Sequence, residues 1–228
     1  NLDKDFSQSR DLAGTYPQKL AEMKALFATE AARNNVFPVD DQVNKRAAAV
    51  MGAAKPKSSY VYWGKNISIP SDYAPRLAGS FTVTADIQTA SGAQDGVLAA
   101  LGGHFGGWSF YLKDGHPTVT MAGSTQADRV FRVAGRDSIP AGAAVVRYDF
   151  AADKGPGSGG VMRISVNDRE VASGRIEQAL VMPTEVTDTF DIGLDAGTPV
   201  TDDYAAHGEF KGEIRKLEIT PHPTGAAQ

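Results

Sequence analysis

The sequence changes its period once, near residue 58, and that change decides what each part can fold into. Upstream, Tyr16, Leu20, Met23, Phe27 and Ala31 recur at spacings of three and four, the single apolar stripe of an amphipathic helix. Thr15 stands in a cap position, Pro17 falls in the first turn where no amide partner is needed, and Gln18 completes a capping box. Asn34-Asn35 offers a left-handed stop. One amphipathic helix is not stable alone in water, so something has to cover its stripe. Downstream the period is two. Phe81, Val83, Ala85 and Ile87 alternate with Ser80, Thr82, Thr84 and Asp86, a strand with one buried face.

The alternation continues to the end of the chain. Tyr60, Tyr62 and Trp63 are read into a first strand, and the continuous apolar run Val97–Leu101 is a strand covered on both faces. Gly102-Gly103-His104-Phe105-Gly106-Gly107 reads as a loop. Trp108, Phe110 and Leu112 alternate up to Asp114-Gly115, a strong hairpin turn, with a return strand at Thr118–Met121. Val130–Val133, Val145–Phe150, Val161–Val166, Glu170–Ile176, Phe190–Leu194 and Phe210–Ile219 follow, and Asn167-Asp168 closes a tight hairpin. About a dozen short strands with frequent turns predict an antiparallel β-sandwich or jelly roll preceded by a short helical segment. The expected divisions are a helical segment over 1–42, a linker over 43–57, the sandwich over 58–220 and a flexible tail over 221–228, with His222 in a frayed end.

Composition narrows the function classes. The 228 residues suffice for a substantial core. A net charge of −4 without a basic run argues against a nucleic-acid surface, which needs clustered Lys and Arg. Arg129, Arg132, Arg136 and Arg147 are interspersed with acids and read as a solvated face. The absence of cysteine removes disulfides, thiol nucleophiles and thiolate metal sites. No apolar run approaches the roughly 20 residues that span a bilayer. The first residue is Asn rather than Met, so a processed or partial chain is expected, and the compartment, bacterial periplasm or cytoplasm, stays open.

Three groups of residues have a chemical reading. Asp191, Asp195, Asp202 and Asp203 cluster around a Gly-Thr-Pro turn. They read as a calcium site built from hard oxygens, as an acidic patch that supports sugar hydroxyls, or as Asp side chains capping local amides. Trp63, Trp108, Tyr111 and Tyr62 can stack on a sugar ring or pack in a core. Trp108 and Phe110 share one face while Tyr111 points the other way, so Tyr111 is the surface candidate. His104 sits in the glycine-rich loop, and Tyr204 follows the acidic run with its hydroxyl expected to be paired. Tyr111, His104 and Tyr204 are therefore the candidate ligand-binding residues. His104, His116, His207 and His222 are too scattered for a metal or triad pattern, and Ser109 near His104 lacks an orienting partner and an oxyanion hole. No closely spaced acid/base pair supports glycoside cleavage.

Several segments resemble the C-terminal part of bacterial arylsulfatases. Asn1-Leu2-Asp3 and Asn35-Val36-Phe37-Pro38-Val39-Asp40-Asp41 look like the end of that family's catalytic region, with Val39 where the family often has Leu. Gly96–Gly103, Gly106–Gly115, Thr189–Tyr204 and Phe210–Leu217 look like the concanavalin A-like, laminin-G-like accessory domain of a subgroup. The resemblance covers nearly the whole chain. It implies that 1–42 is the helical tail of a sulfatase core and that a catalytic domain upstream is a partner. Such a parent hydrolyses sulfate monoesters with formylglycine and calcium. The formylglycine motif is absent here: Ser68-Ile69-Pro70-Ser71-Asp72 and Ser138-Ile139-Pro140-Ala141-Gly142 both lack its Arg. The expectation is a non-catalytic accessory fragment that supports the core or positions substrate, with no cofactor of its own beyond a candidate calcium. The alternative is a carbohydrate-binding lectin-like module.

Overall fold

The computed structural model describes residues 2–3, 5–37, 39, 57–77, 79–123, 127–155, 157–179, 188–205 and 207–222. The expected linker lies outside them except for its last residue, as does the expected tail beyond His222. The chain forms two compact units, Asn1–Lys55 and Pro56–Gln228.

The first unit is built on helix α1, Pro17–Arg33. Its N-cap is Tyr16, at φ −128° and ψ 65°, and no side chain caps it. The expected cap at Thr15 is one residue too early. Proline drives the residue before it out of the helical region, so the helix begins at Pro17 itself. The C-terminus behaves as the sequence predicts. Asn35 takes φ 55°, and the amides of Asn35 and Val36 donate to Ala32 O and Ala31 O, which satisfies the last carbonyls. Ala31 is buried, whereas Tyr16, Met23, Leu26 and Phe27 are all more than half exposed.

The second unit is an antiparallel β-sandwich. Its strands are β1 (Tyr60–Tyr62), β2 (Ile67–Pro70), β3 (Phe81–Thr89), β4 (Gly96–Gly103), β5 (Gly106–Lys113), β6 (His116–Ala122), β7 (Val130–Ala134), β8 (Gly142–Ala152), β9 (Gly160–Val166), β10 (Arg169–Ile176), β11 (Thr189–Ile192) and β12 (Glu213–Pro221). One sheet has the order β1-β12-β3-β8-β9-β10 and the other β2-β11-β4-β5-β6-β7. The outer strands are therefore β1 and β10 in one sheet, β2 and β7 in the other.

The core lies where the alternation places it. Phe81, Val83, Ala85 and Ile87 of β3 face Trp108, Phe110 and Leu112 of β5 within one apolar cluster. Phe81 is its aromatic hub, with ring centroids 6.0 Å from Trp108, 5.4 Å from Tyr148 and 5.7 Å from Phe150.

Three local expectations are corrected, and one strand is added. The glycine-rich stretch 102–107 is not an open loop: Gly103 pairs with Gly106, and His104-Phe105 is the two-residue tip between β4 and β5. Gly102 permits this closure. Its φ is +74°, and a Cβ there would lie 2.2 Å from Gly106 O. Trp63 falls just beyond β1 and is exposed. Strand β2, unannounced by its short Ile-Ser-Ile-Pro run, pairs with β11. His222 is anchored rather than frayed, with its amide on Ser80 O and its Nε2 2.9 Å from Thr82 Oγ1.

The two hairpin turns match their sequence signals. Asp114-Gly115 and Asn167-Asp168 both have positive φ at each central residue, as a type I′ turn requires. Asp168, at φ 64°, bears a side chain where glycine is unstrained. Asp168→Gly is expected to raise stability by about 0.5 kcal/mol, read from the urea unfolding midpoint.

Candidate functional site

The outward side of the β2-β11-β4-β5-β6-β7 sheet is polar where the inward side is apolar. Register aligns Ser68, Asp191, Ala100, Ser109, Thr120 and Arg132 in one row across all six strands. The loop after β11 folds over this row. The Tyr204 ring meets Tyr111 edge-on at 5.2 Å, and Val97, Ala100 and Tyr111 form a small second apolar cluster with Tyr204 packed against it. Ser109, Thr118 and Thr120 are buried as a result, although they point away from the main core.

Two polar knots hold the loop down. In the first, Lys113 Nζ donates to Asp203 Oδ1 at 2.8 Å and Arg132 Nε donates to Asp203 Oδ2 at 2.7 Å. The Tyr111 hydroxyl also donates to Asp203 Oδ2 and lies 3.0 Å from Thr120 Oγ1. Partial burial pushes the Asp203 carboxyl up, but Lys113, Tyr111 and Arg132 together outweigh it and hold it down at about 2. Burial, with the Asp203 carboxylate beside it, pushes the Tyr111 phenol up to about 12, so it remains a donor at neutral pH.

In the second knot, Asp195 Oδ2 accepts from the Val200 amide at 3.0 Å and from the Tyr204 hydroxyl, which also reaches Ser109 Oγ at 3.1 Å. Asp191 Oδ2 accepts from Thr189 Oγ1 at 2.8 Å and from the Ala196 amide at 2.9 Å. Burial drives the Asp195 carboxyl up and the bonds from Tyr204 and Val200 hold it back. Neighbouring Asp191 and Asp188 add to the rise, and the result is about 6.

The residues singled out by sequence are distributed unevenly over this face. Tyr111 has the outward direction its alternation predicts, yet it is fully buried, because the loop after β11 covers it. It is a support under the face rather than a surface contact. The Tyr204 hydroxyl is paired, as expected, with Asp195 and Ser109. His104, at the β4–β5 tip, lies 3.5 Å from Asp202 Oδ1, and the Asp202 side chain is almost entirely in solvent. The four aspartates do not converge. Asp191 and Asp195 are buried under the loop, Asp202 is outside, and Asp203 faces two cations. Among the described residues, no group of three or more His, Cys, Asp or Glu is arranged to hold a metal ion.

Sequence reasoning missed Lys113 and Arg132. The side chain of Lys113 is 40% exposed and that of Arg132 is 44% exposed, so both face solvent while sharing Asp203. Lys113 was within reach: it has the same strand parity as Tyr111. Arg132 was not, since its place depends on the register of β6 against β7, which no short turn announces.

No protein-family description and no curated protein sequence matches the chain. Solved structures do. The Ruminococcus gnavus IT-sialidase CBM40 bound to alpha2,6 sialyllactose is 12% identical, with a TM-score of 0.51, and the match covers 75% of this chain and 93% of that one. A NanB sialidase of Streptococcus pneumoniae is 16% identical at a TM-score of 0.52, over 73% of this chain and 27% of that one. A leech intramolecular trans-sialidase is 10% identical at a TM-score of 0.51, over 75% and 26%. The chain thus spans about a quarter of each of the two larger proteins. At such identities the likeness is one of fold: the sandwich is concanavalin A-like. The sulfatase resemblance rests on sequence segments alone.

Proposed function

We propose that the sandwich is a carbohydrate-binding, lectin-like module whose ligand is an acidic saccharide, bound at the outward sheet face beside Lys113 and Arg132. The observation that carries this reading is the convergence of two half-exposed cations on one carboxylate, which leaves the cluster with a surplus positive charge. Arg132 reaches Asp203 through Nε, and its two terminal nitrogens make no hydrogen bond among the described residues. A guanidinium with free terminal donors suits a carboxylate or sulfate ester. A fold neighbour bound to sialyllactose, an acidic trisaccharide, supports the same ligand class.

Calorimetry with sialyllactose, lactose and a sulfated disaccharide tests this. The acidic ligands are expected to bind at millimolar concentration or tighter and lactose much more weakly. Arg132→Ala is expected to weaken acidic-ligand binding about tenfold, the loss of one charge-assisted contact. Equal binding of lactose, or an Arg132→Ala variant with unchanged affinity, would refute it.

The helical unit favours a compatible second reading, that of an accessory part of a sulfatase-like enzyme whose catalytic region packs against α1. Its supporting observation is the exposed run Tyr16, Met23, Leu26 and Phe27. Leu26→Glu is expected to abolish hydrophobic-dye binding while leaving saccharide affinity unchanged. Dye binding that persists in this variant counts against the stripe as a docking surface.

A further inference from the structure

Asp191 and Asp195 are each only 1% exposed. Each spends one carboxylate oxygen, Oδ2, on neutral donors: Thr189 and Ala196 for the first, Val200 and Tyr204 for the second. The other oxygen of each, Oδ1, is buried and has no hydrogen-bond partner. Turn chemistry accounts for the two Oδ2 atoms and leaves the two Oδ1 atoms unexplained.

The charges around them make the omission costly. Asp188 is a third buried carboxylate, and it and Asp191 both act electrostatically on Asp195. Among the described residues, the cations on this face are engaged elsewhere. Lys113 and Arg132 bind Asp203, Lys65 Nζ donates to Phe210 O, and His207 Nδ1 meets the main-chain oxygen of Asp195 rather than its carboxylate. Buried carboxylates are normally paired or bound to a metal, because an isolated buried charge is strongly disfavoured.

We propose that Asp191 Oδ1 and Asp195 Oδ1 are ligands of a hard divalent cation, calcium by chemistry, held beneath the loop after β11. Calcium takes carboxylate and carbonyl oxygens, about six to eight in all. Two side chains are therefore an incomplete shell, and main-chain carbonyls or water complete it. Asp202 and Asp203, adjacent in sequence, take no part. The cation neutralises buried acids of the loop that also carries Asp203, and so couples ion binding to the order of the saccharide face.

The test uses the whole chain after chelator treatment, titrated with terbium and excited at the tyrosine absorption. The Tyr204 hydroxyl sits on Asp195, so a lanthanide in the site has its sensitiser alongside. Terbium luminescence is expected to saturate and to be displaced by calcium, and calcium is expected to raise the melting temperature. Asp191→Asn and Asp195→Asn should each weaken binding at least tenfold, and Asp202→Asn should leave it unchanged. Their near-UV circular dichroism identifies any variant that has lost its fold, and the chelated parent chain supplies an answer independent of them. Two results overturn the proposal. One is the absence of terbium and calcium binding at millimolar concentration. The other is binding that survives both buried substitutions and is lost in Asp202→Asn.

Discussion

Phe81→Ala is expected to destabilise the sandwich by about 3–5 kcal/mol, the range for removing a large aromatic side chain from a closed core. Phe81 is 3% exposed and touches the rings of Trp108, Tyr148 and Phe150. Those rings belong to strands in both sheets, so the cavity cannot collapse without moving the sheets against each other. β3 itself is an inner strand, paired with β12 on one side and β8 on the other. Guanidinium unfolding followed by tryptophan fluorescence, to which the buried Trp108 contributes, gives the measurement. Phe81→Leu keeps most of the volume and is expected to cost no more than about 1.5 kcal/mol. Equal losses in the two variants would mean that the ring contacts, not the filled volume, hold the sheets together.

In calcium-free protein, stability is expected to fall by about 3 kcal/mol as pH rises from 4 to above 6, through Asp195 alone. Its carboxyl is raised from 3.8 to about 6 in the folded chain. A raised carboxyl makes the folded state bind its proton more tightly than the unfolded state does. Below pH 4 both states are protonated and there is no penalty. Between 4 and 6 the unfolded state ionises first, and above 6 the folded state carries the full cost of a buried charge. Asp203 has the opposite sign. Held down at about 2, it contributes stability above pH 4 that is lost as pH falls toward 2. The two slopes cancel, and so place the stability maximum of the chelated protein, near pH 4. Melting temperatures across pH 3 to 8 in the presence of a chelator measure both limbs, and Asp195→Asn should flatten the upper one. A profile that climbs between pH 5 and 7 in chelator would rule out the buried ionisation.

The sequence carried the sandwich well because its signals are local. The alternation from Phe81 to Ile87 states which face of β3 is buried, and Asp114-Gly115 and Asn167-Asp168 need positive φ that few other pairs tolerate. The helix stop at Asn35 is legible for the same reason. The candidate binding face was less legible because its parts are assembled by register and by a covering loop. Tyr111 shows the difference: strand parity gives its direction but says nothing of Tyr204 lying over it. Arg132 looks like one of several solvated arginines until β6 and β7 are aligned. The aspartates failed in another way. Adjacent in sequence, Asp202 and Asp203 point to different surroundings, while Asp191 and Asp195, four residues apart, are both buried.

The outer strands bear on how such a domain behaves when crowded. A sheet edge is a template that a second copy can extend. β1 spans only three residues, and β2 only four, ending in Pro70. β10 is longer, but its ladder shifts between Glu170 and Ala172, and it carries Arg169, Glu170 and Arg175. These features oppose edge-to-edge pairing at β1, β2 and β10. Through those three edges, densely displayed copies would not extend one another's sheets. If the module binds saccharide as proposed, the combined grip of several copies on a polyvalent ligand would grow with the number of faces engaged.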